Sequence, residues 1–120
     1  MRVTIAAIGR LKAGPERALL DRYLERAGQA GGRLGLSFLL REFPENPAGD
    51  AATRKDGEGA ALLGVVPPKA RLVVLDERGR ALDSRAFATL IGDWRDGGTA
   101  DLVFAIGGAD GLGPAVRDRA

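Results

Sequence analysis

Gly107, Gly108, Gly111 and Gly113 lie together in one short segment, directly after the apolar run Leu102 to Ile106. The run reads as a fully buried strand, and the glycines read as the loop that carries the chain from that strand to a helix. The chemistry open to such a loop is ligand binding. Glycine lets a ligand come close to the main chain, and open α/β sheets bind ligands beyond the carboxyl ends of their strands. The segment matches neither familiar phosphate fingerprint. A Walker loop needs Lys and then Ser or Thr after its last glycine, but Gly113 is followed by Pro114. The dinucleotide pattern needs a different glycine spacing. From residue types alone the loop is either a ligand cradle or a device for turning the chain.

A second candidate is Leu75-Asp76-Glu77-Arg78-Gly79-Arg80, at the exit of another short apolar run. Asp76 and Glu77 are adjacent, so at a strand end they point in opposite directions and make a poor acid/base pair. A solvated polar turn is expected for them. Arg78 and Arg80 flank Gly79 and belong either to that turn or to a phosphate-contacting pair. A metal-dependent hydrolase built on Asp76, Asp83 and Asp110 ranks far lower, and no metal is expected. Arg54-Lys55 reads as the solvated face of a helix. Tyr23, Phe38, Phe43, Phe87 and Trp94 sit at helical or strand spacing and read as core rather than as base-stacking platforms.

Composition narrows the chemistry further. The chain has neither cysteine nor histidine, which removes disulfides, thiol nucleophiles, cysteine metal sites and the usual general base. At 120 residues, 45% hydrophobic and 28% charged, it is expected to form one globular domain over residues 1–120. The net charge of +2 is compatible with an anionic partner without demanding one. No apolar run reaches membrane-spanning length, and the strand pattern begins at Arg2 with no room for a signal peptide. A cytoplasmic protein is expected.

The elements that must position these groups alternate. Arg2 to Ile8 predicts a buried strand closed by Gly9. Pro15 opens a helix with Leu19, Leu20, Tyr23 and Leu24 on one face, ended by Gly28, Gly31 and Gly32. Leu34 to Phe43 predicts a second strand, and Pro44 to Gly49 a loop that is the most mobile internal segment. Asp50 to Val66 predicts a helix weakened by its glycines and stopped by Pro67-Pro68. Arg71 to Leu75 is a third strand. Asp83 or Ser84 caps a helix reaching Trp94, with Phe87, Leu90, Ile91 and Trp94 as its apolar stripe. A fourth strand leads from Asp101 into the glycine loop, and Gly113-Pro114 opens a last helix. Such alternation implies an α/β fold with a mostly parallel sheet and helices on both faces.

Three segments, taken in order, carry a family resemblance. They are Val3-Thr4-Ile5-Ala6-Ala7-Ile8-Gly9, Leu75 through Ser84, and Phe104-Ala105-Ile106-Gly107-Gly108-Ala109-Asp110-Gly111-Leu112. The chain resembles the ribosomal RNA large subunit methyltransferase H family of the SPOUT, or α/β-knot, class over essentially its whole length. The resemblance implies methyl transfer from S-adenosylmethionine to N3 of a pseudouridine in 23S rRNA, on the assembled ribosome and by a homodimer. It implies that Leu75 borders the adenosine pocket and that Gly107 and Gly108 bring main-chain amides against the cofactor. Arg78 and Arg80 are then candidates for contacting RNA. No catalytic side chain is assigned, because none of these residues is an obvious acceptor for the N3 proton.

Members of that family are most alike in a further C-terminal segment that forms the knot strand and final helix, and the resemblance finds no counterpart to it within these residues. The expectation is therefore a SPOUT-type fold lacking that strand and helix, with impaired activity and an unpaired sheet edge prone to association. The alternative is a non-catalytic α/β module that binds a nucleotide-like ligand or a ribosomal partner.

Overall fold

Each strand is followed by a helix, as parallel pairing requires of its long connections. The computed structural model describes residues 1–120 and contains β1 (Arg2–Ile8), α1 (Pro15–Arg33), β2 (Ser37–Phe43), α2 (Ala51–Leu63), β3 (Arg71–Leu75), α3 (Ser84–Asp96), β4 (Asp101–Ile106) and α4 (Pro114–Arg119). The strands form one sheet in the order β2-β1-β4-β3, with every pair parallel. The α/β fold expected from the alternation is the one observed.

The pleat divides the core between the two faces of this sheet. Ala6, Ile8, Leu72, Val103 and Ala105 face Leu62 of α2 and Val116 of α4. Val3, Leu102 and Phe104 face the other way, packed by Phe38 of β2 and by Ile91 and Trp94 of α3. Phe87 adds a tilted ring contact to Phe104, with centroids 5.6 Å apart. Arg71 lies over the Trp94 ring at 4.7 Å, a cation–π contact that covers the edge of this layer. Helices α2 and α4 thus cover one face, while α1 and α3 lie on the other.

Several sequence expectations shift. Helix α1 runs through Gly28, Gly31 and Gly32 and stops only at Leu34, with Gly35 at φ 71° beyond it. Gly31 is buried because the helix lies close on β2: a Cβ there would come 2.7 Å from Phe38 Cε2 and 2.9 Å from the Leu36 carbonyl oxygen. The sheet-facing positions of α1 are Leu20, Leu24, Ala27 and Gly31, whereas Leu19 and Tyr23 are more than half exposed. Tyr23 is therefore not a core residue, and Phe87 is only partly covered. Strand β2 begins at Ser37 rather than Leu34, and α2 ends at Leu63 rather than Val66. Asp83 is the cap of α3, its carboxylate accepting the Ala86 N–H at 2.7 Å.

Two glycines of α1 should respond oppositely to alanine. Gly31→Ala is expected to destabilise by about 1–3 kcal/mol through overpacking against Phe38. Gly28→Ala meets nothing within 4 Å and should stabilise by roughly 0.5–1 kcal/mol through helix propensity. Urea unfolding of the two variants beside the parent checks both signs.

Candidate functional site

Strands β3 and β4 end level with each other, Leu75 paired in register with Ile106. The chain then leaves β3 towards α3 on one face and leaves β4 towards α4 on the other, which opens a crevice between the two exits. A cavity of about 370 Å³ occupies this crevice, lined by Leu75, Asp76, Arg78, the loop from Ile106 to Leu112, Lys55 and Arg117. Leu75 is 54% exposed and Ile106 37%, an aliphatic pair left open at the end of an otherwise buried sheet.

The sequence candidates Leu75, Gly107, Gly108 and Arg78 all border this one cavity. Arg80 does not: it lies on the neighbouring apolar groove of β3 and α3, with Leu82 and Phe87. Both arginines are exposed, and neither has a carboxylate within ion-pair distance.

The glycine loop folds back on itself. The Gly111 N–H donates to the Gly108 carbonyl at 3.0 Å, and Gly111 sits at φ 82°, in the left-handed region that favours glycine. A methyl on Gly107 would come 3.0 Å from the Gly111 carbonyl, and one on Gly108 would come 2.9 Å from Glu58 Oε1. The side-chain directions of both glycines are therefore taken up by the protein itself. The N–H groups of Gly107 and Ala109 donate to no backbone carbonyl and remain available to a ligand.

Three aspartates that a metal site would have needed are separately engaged. Asp83 caps α3. Asp110 accepts a bidentate pair of hydrogen bonds from Arg54, at 2.8 Å from Nε and 3.1 Å from Nη2. Asp76 is not the solvated residue expected from its sequence, its side chain being 11% exposed. Its Oδ1 accepts the Arg78 N–H at 3.2 Å, and its carbonyl accepts the Gly79 N–H at 2.9 Å. Oδ2 lies 2.7 Å from Arg117 Nε, an ion pair without the angle of a hydrogen bond. Glu77 stays exposed. No three His, Cys, Asp or Glu side chains converge as a metal-ligand set.

Arg54 reads as solvated in the sequence but is 29% exposed and tied to the loop. Glu58 is not among the candidates drawn from the sequence. Its signal was the spacing: one helical turn after Arg54, on the same face, and set between Gly57 and Gly59 in a helix otherwise weakened by glycine.

The whole chain, residues 1–120, matches the family described as Predicted SPOUT methyltransferase. The chain belongs to the SPOUT methyltransferase family. It is 54% identical over 121 residues to Ribosomal RNA large subunit methyltransferase H of Bradyrhizobium diazoefficiens, an alignment covering 100% of this chain and 76% of that protein. The proteins of the same name from Sinorhizobium fredii and Allorhizobium ampelinum are 53% and 50% identical, with the same shares covered. This SPOUT chain is accordingly a methyltransferase, an enzyme class that works with a methyl donor. No helix is long and apolar enough to cross a membrane.

Charge pairing around this end of the sheet gives the SPOUT domain an acid limit. The hydrogen bonds from Arg54 hold the Asp110 carboxyl below its ordinary value of 3.8. The Leu11 N–H and then Arg17 do the same for Glu42, and the Thr53 N–H and hydroxyl for Asp50. A carboxyl lowered on folding contributes stability above its unfolded value and loses it as pH falls through the folded one. Stability is therefore expected to stay level on this account from neutral pH to about 5 and to fall below about 4. In Asp110→Asn the acid-side fall should be shallower, as thermal unfolding across pH 3–7 will show.

Proposed function

We propose that this methyltransferase carries a methyl group from S-adenosylmethionine to N3 of a pseudouridine in the 23S rRNA of the assembled ribosome. The observation that carries the reading is the meeting of Leu75, Gly107 and Gly108 on one cavity at the carboxyl end of the sheet. The named activity of its relatives supports the rRNA substrate.

The residues fit an adenosine-bearing donor. The open aliphatic pair Leu75 and Ile106 suits the flat face of a base, and the free N–H groups of Gly107 and Ala109 can meet its polar edges. When bound, S-adenosylmethionine supplies an electrophilic methyl on a sulfonium and leaves as a neutral thioether. The work left to the protein is mostly placement. Holding two reactants in line supplies up to roughly 7–11 kcal/mol of the barrier in favourable cases. That task needs rigid backbone more than reactive side chains, in keeping with a chain that has no histidine or cysteine. No residue is assigned as acceptor of the N3 proton.

Arg78 on the cavity rim and Arg80 beside it supply unpaired guanidinium groups for RNA phosphates. The enzyme works as a homodimer, in the cytoplasm where ribosomes are.

The test is incubation with methyl-labelled S-adenosylmethionine and ribosomes lacking the modification. Label in N3-methylpseudouridine of 23S rRNA is the expected outcome. Label in another nucleotide, or none, overturns the assignment. Leu75→Ala should weaken donor binding by about 2 kcal/mol, some thirtyfold, from three lost carbons of buried surface. Arg78→Ala with Arg80→Ala should reduce the salt dependence of ribosome binding by a log–log slope of roughly 1.5.

A further inference from the structure

The loop that borders the cavity is fastened from below by a single helix. Arg54 and Glu58 stand one turn apart on the same face of α2. Arg54 grips Asp110 of the glycine loop through Nε and Nη2, while its Nη1 donates to the Ala48 carbonyl at 3.0 Å. Glu58 lies beneath Gly108. It is 5% exposed, and its Oε2 accepts the Asn46 N–H at 2.9 Å. Its Oε1 is buried without a partner, facing the position a Gly108 Cβ would take. Asn46 Oδ1 in turn accepts the Ala48 N–H at 2.9 Å. The 46–48 turn, part of the Pro44 to Gly49 loop expected from its composition to be the most mobile internal segment, is thus held at both ends by α2.

We propose that Arg54 and Glu58 are positioning residues for methyl-donor binding: together they lock the glycine loop and the 46–48 turn to α2, so that the donor meets a preassembled backbone. The proposal rests on the reading that this loop takes S-adenosylmethionine. Neither residue touches the donor. Arg54 acts through Asp110, and Glu58 acts by setting the floor under Gly108. A planar, bidentate guanidinium fixes both distance and angle, which a lysine at the same place would not. A buried acceptor left unpaired is costly, and here Oε1 is held against Gly108, where a Cβ would come 2.9 Å from it. A preorganised loop spares the ordering cost that a slack one would pay on binding.

The pair can be tested on the whole natural protein with calorimetric titration of S-adenosylmethionine and hydrogen exchange of the loop amides. Arg54→Ala, Asp110→Ala and Glu58→Ala are each expected to raise the donor Kd about tenfold. The Arg54→Ala/Asp110→Ala double variant should be no weaker than Arg54→Ala alone, since that change already removes the Arg54–Asp110 contact. Glu58→Gln, which keeps an acceptor for Asn46, should stay within about threefold of the parent, and Arg54→Lys should fall between parent and alanine. Amides of residues 107–113 should exchange at least about tenfold faster in the alanine variants while those of β4 do not change.

Unchanged donor affinity in Arg54→Ala and Glu58→Ala overturns the proposal. So does exchange that rises equally through β4, which would mark general destabilisation. If the parent protein binds no donor, the cofactor reading falls with it. The loop-specific exchange then decides separately whether the two residues hold the loop.

Discussion

Strand β4 has no access to water along most of its length, so every N–H and C=O it carries must be satisfied by a neighbouring strand. Leu102, Val103 and Ala105 are at most 1% exposed, and Phe104 is 8%. The solution is to place β4 between β1 and β3, with ladders on both sides. Much else follows from that placement. Apolar side chains must point to both faces, so helices must cover both faces, and parallel neighbours require those helices as the crossovers. The strand's exit then emerges in the middle of the sheet's carboxyl edge, beside the exit of β3. A cavity forms there because the two following helices depart to opposite sides.

The loop that closes this cavity is shaped by contacts beneath it. Its glycines are needed because the chain packs on itself and on α2, with no volume for a Cβ at Gly107 or Gly108. The Arg54–Asp110 pair lies at the boundary between solvent and interior, with 29% and 24% of the two side chains exposed. Such a bidentate contact is better defined than a surface pair between long, mobile side chains, and it keeps the loop from wandering. On the β3 side the Asp76 turn is braced by Arg117 of α4. Both walls of the crevice are thus tied to the helices of one face.

For a methyltransferase this division of labour is physically sensible. The reactive group arrives with the donor, and rate depends on alignment more than on nucleophilic or metal chemistry from side chains. A site made of backbone amides, two aliphatic strand ends and half-buried ion pairs meets that demand.

The elements were readable in the residues because their signals are local. Apolar runs bounded by glycine and proline mark the strands, and the aspartate caps mark the starts of α2 and α3. The recurrence of strand then helix was enough for the α/β class, and the glycine loop with Leu75 pointed to one end of the sheet. Boundaries set by long-range packing were not readable. Gly31 looks like a helix terminator in the sequence, yet α1 runs through it and packs there against Phe38 of β2. Asp76 and Arg54 look like surface charge, yet their partners stand 41 and 56 residues away along the chain. The spacing of Glu58 one turn after Arg54 is visible in the sequence, but its place beneath Gly108 is not. Strand identity, helix caps and the glycine loop were determined by the sequence alone, since each depends on neighbours a few residues off. Which charges are buried, which glycines are packed and which side chains floor the cavity was decided only by the tertiary structure. Those depend on the strand order that brings β4 between β1 and β3, an order that no local pattern encodes.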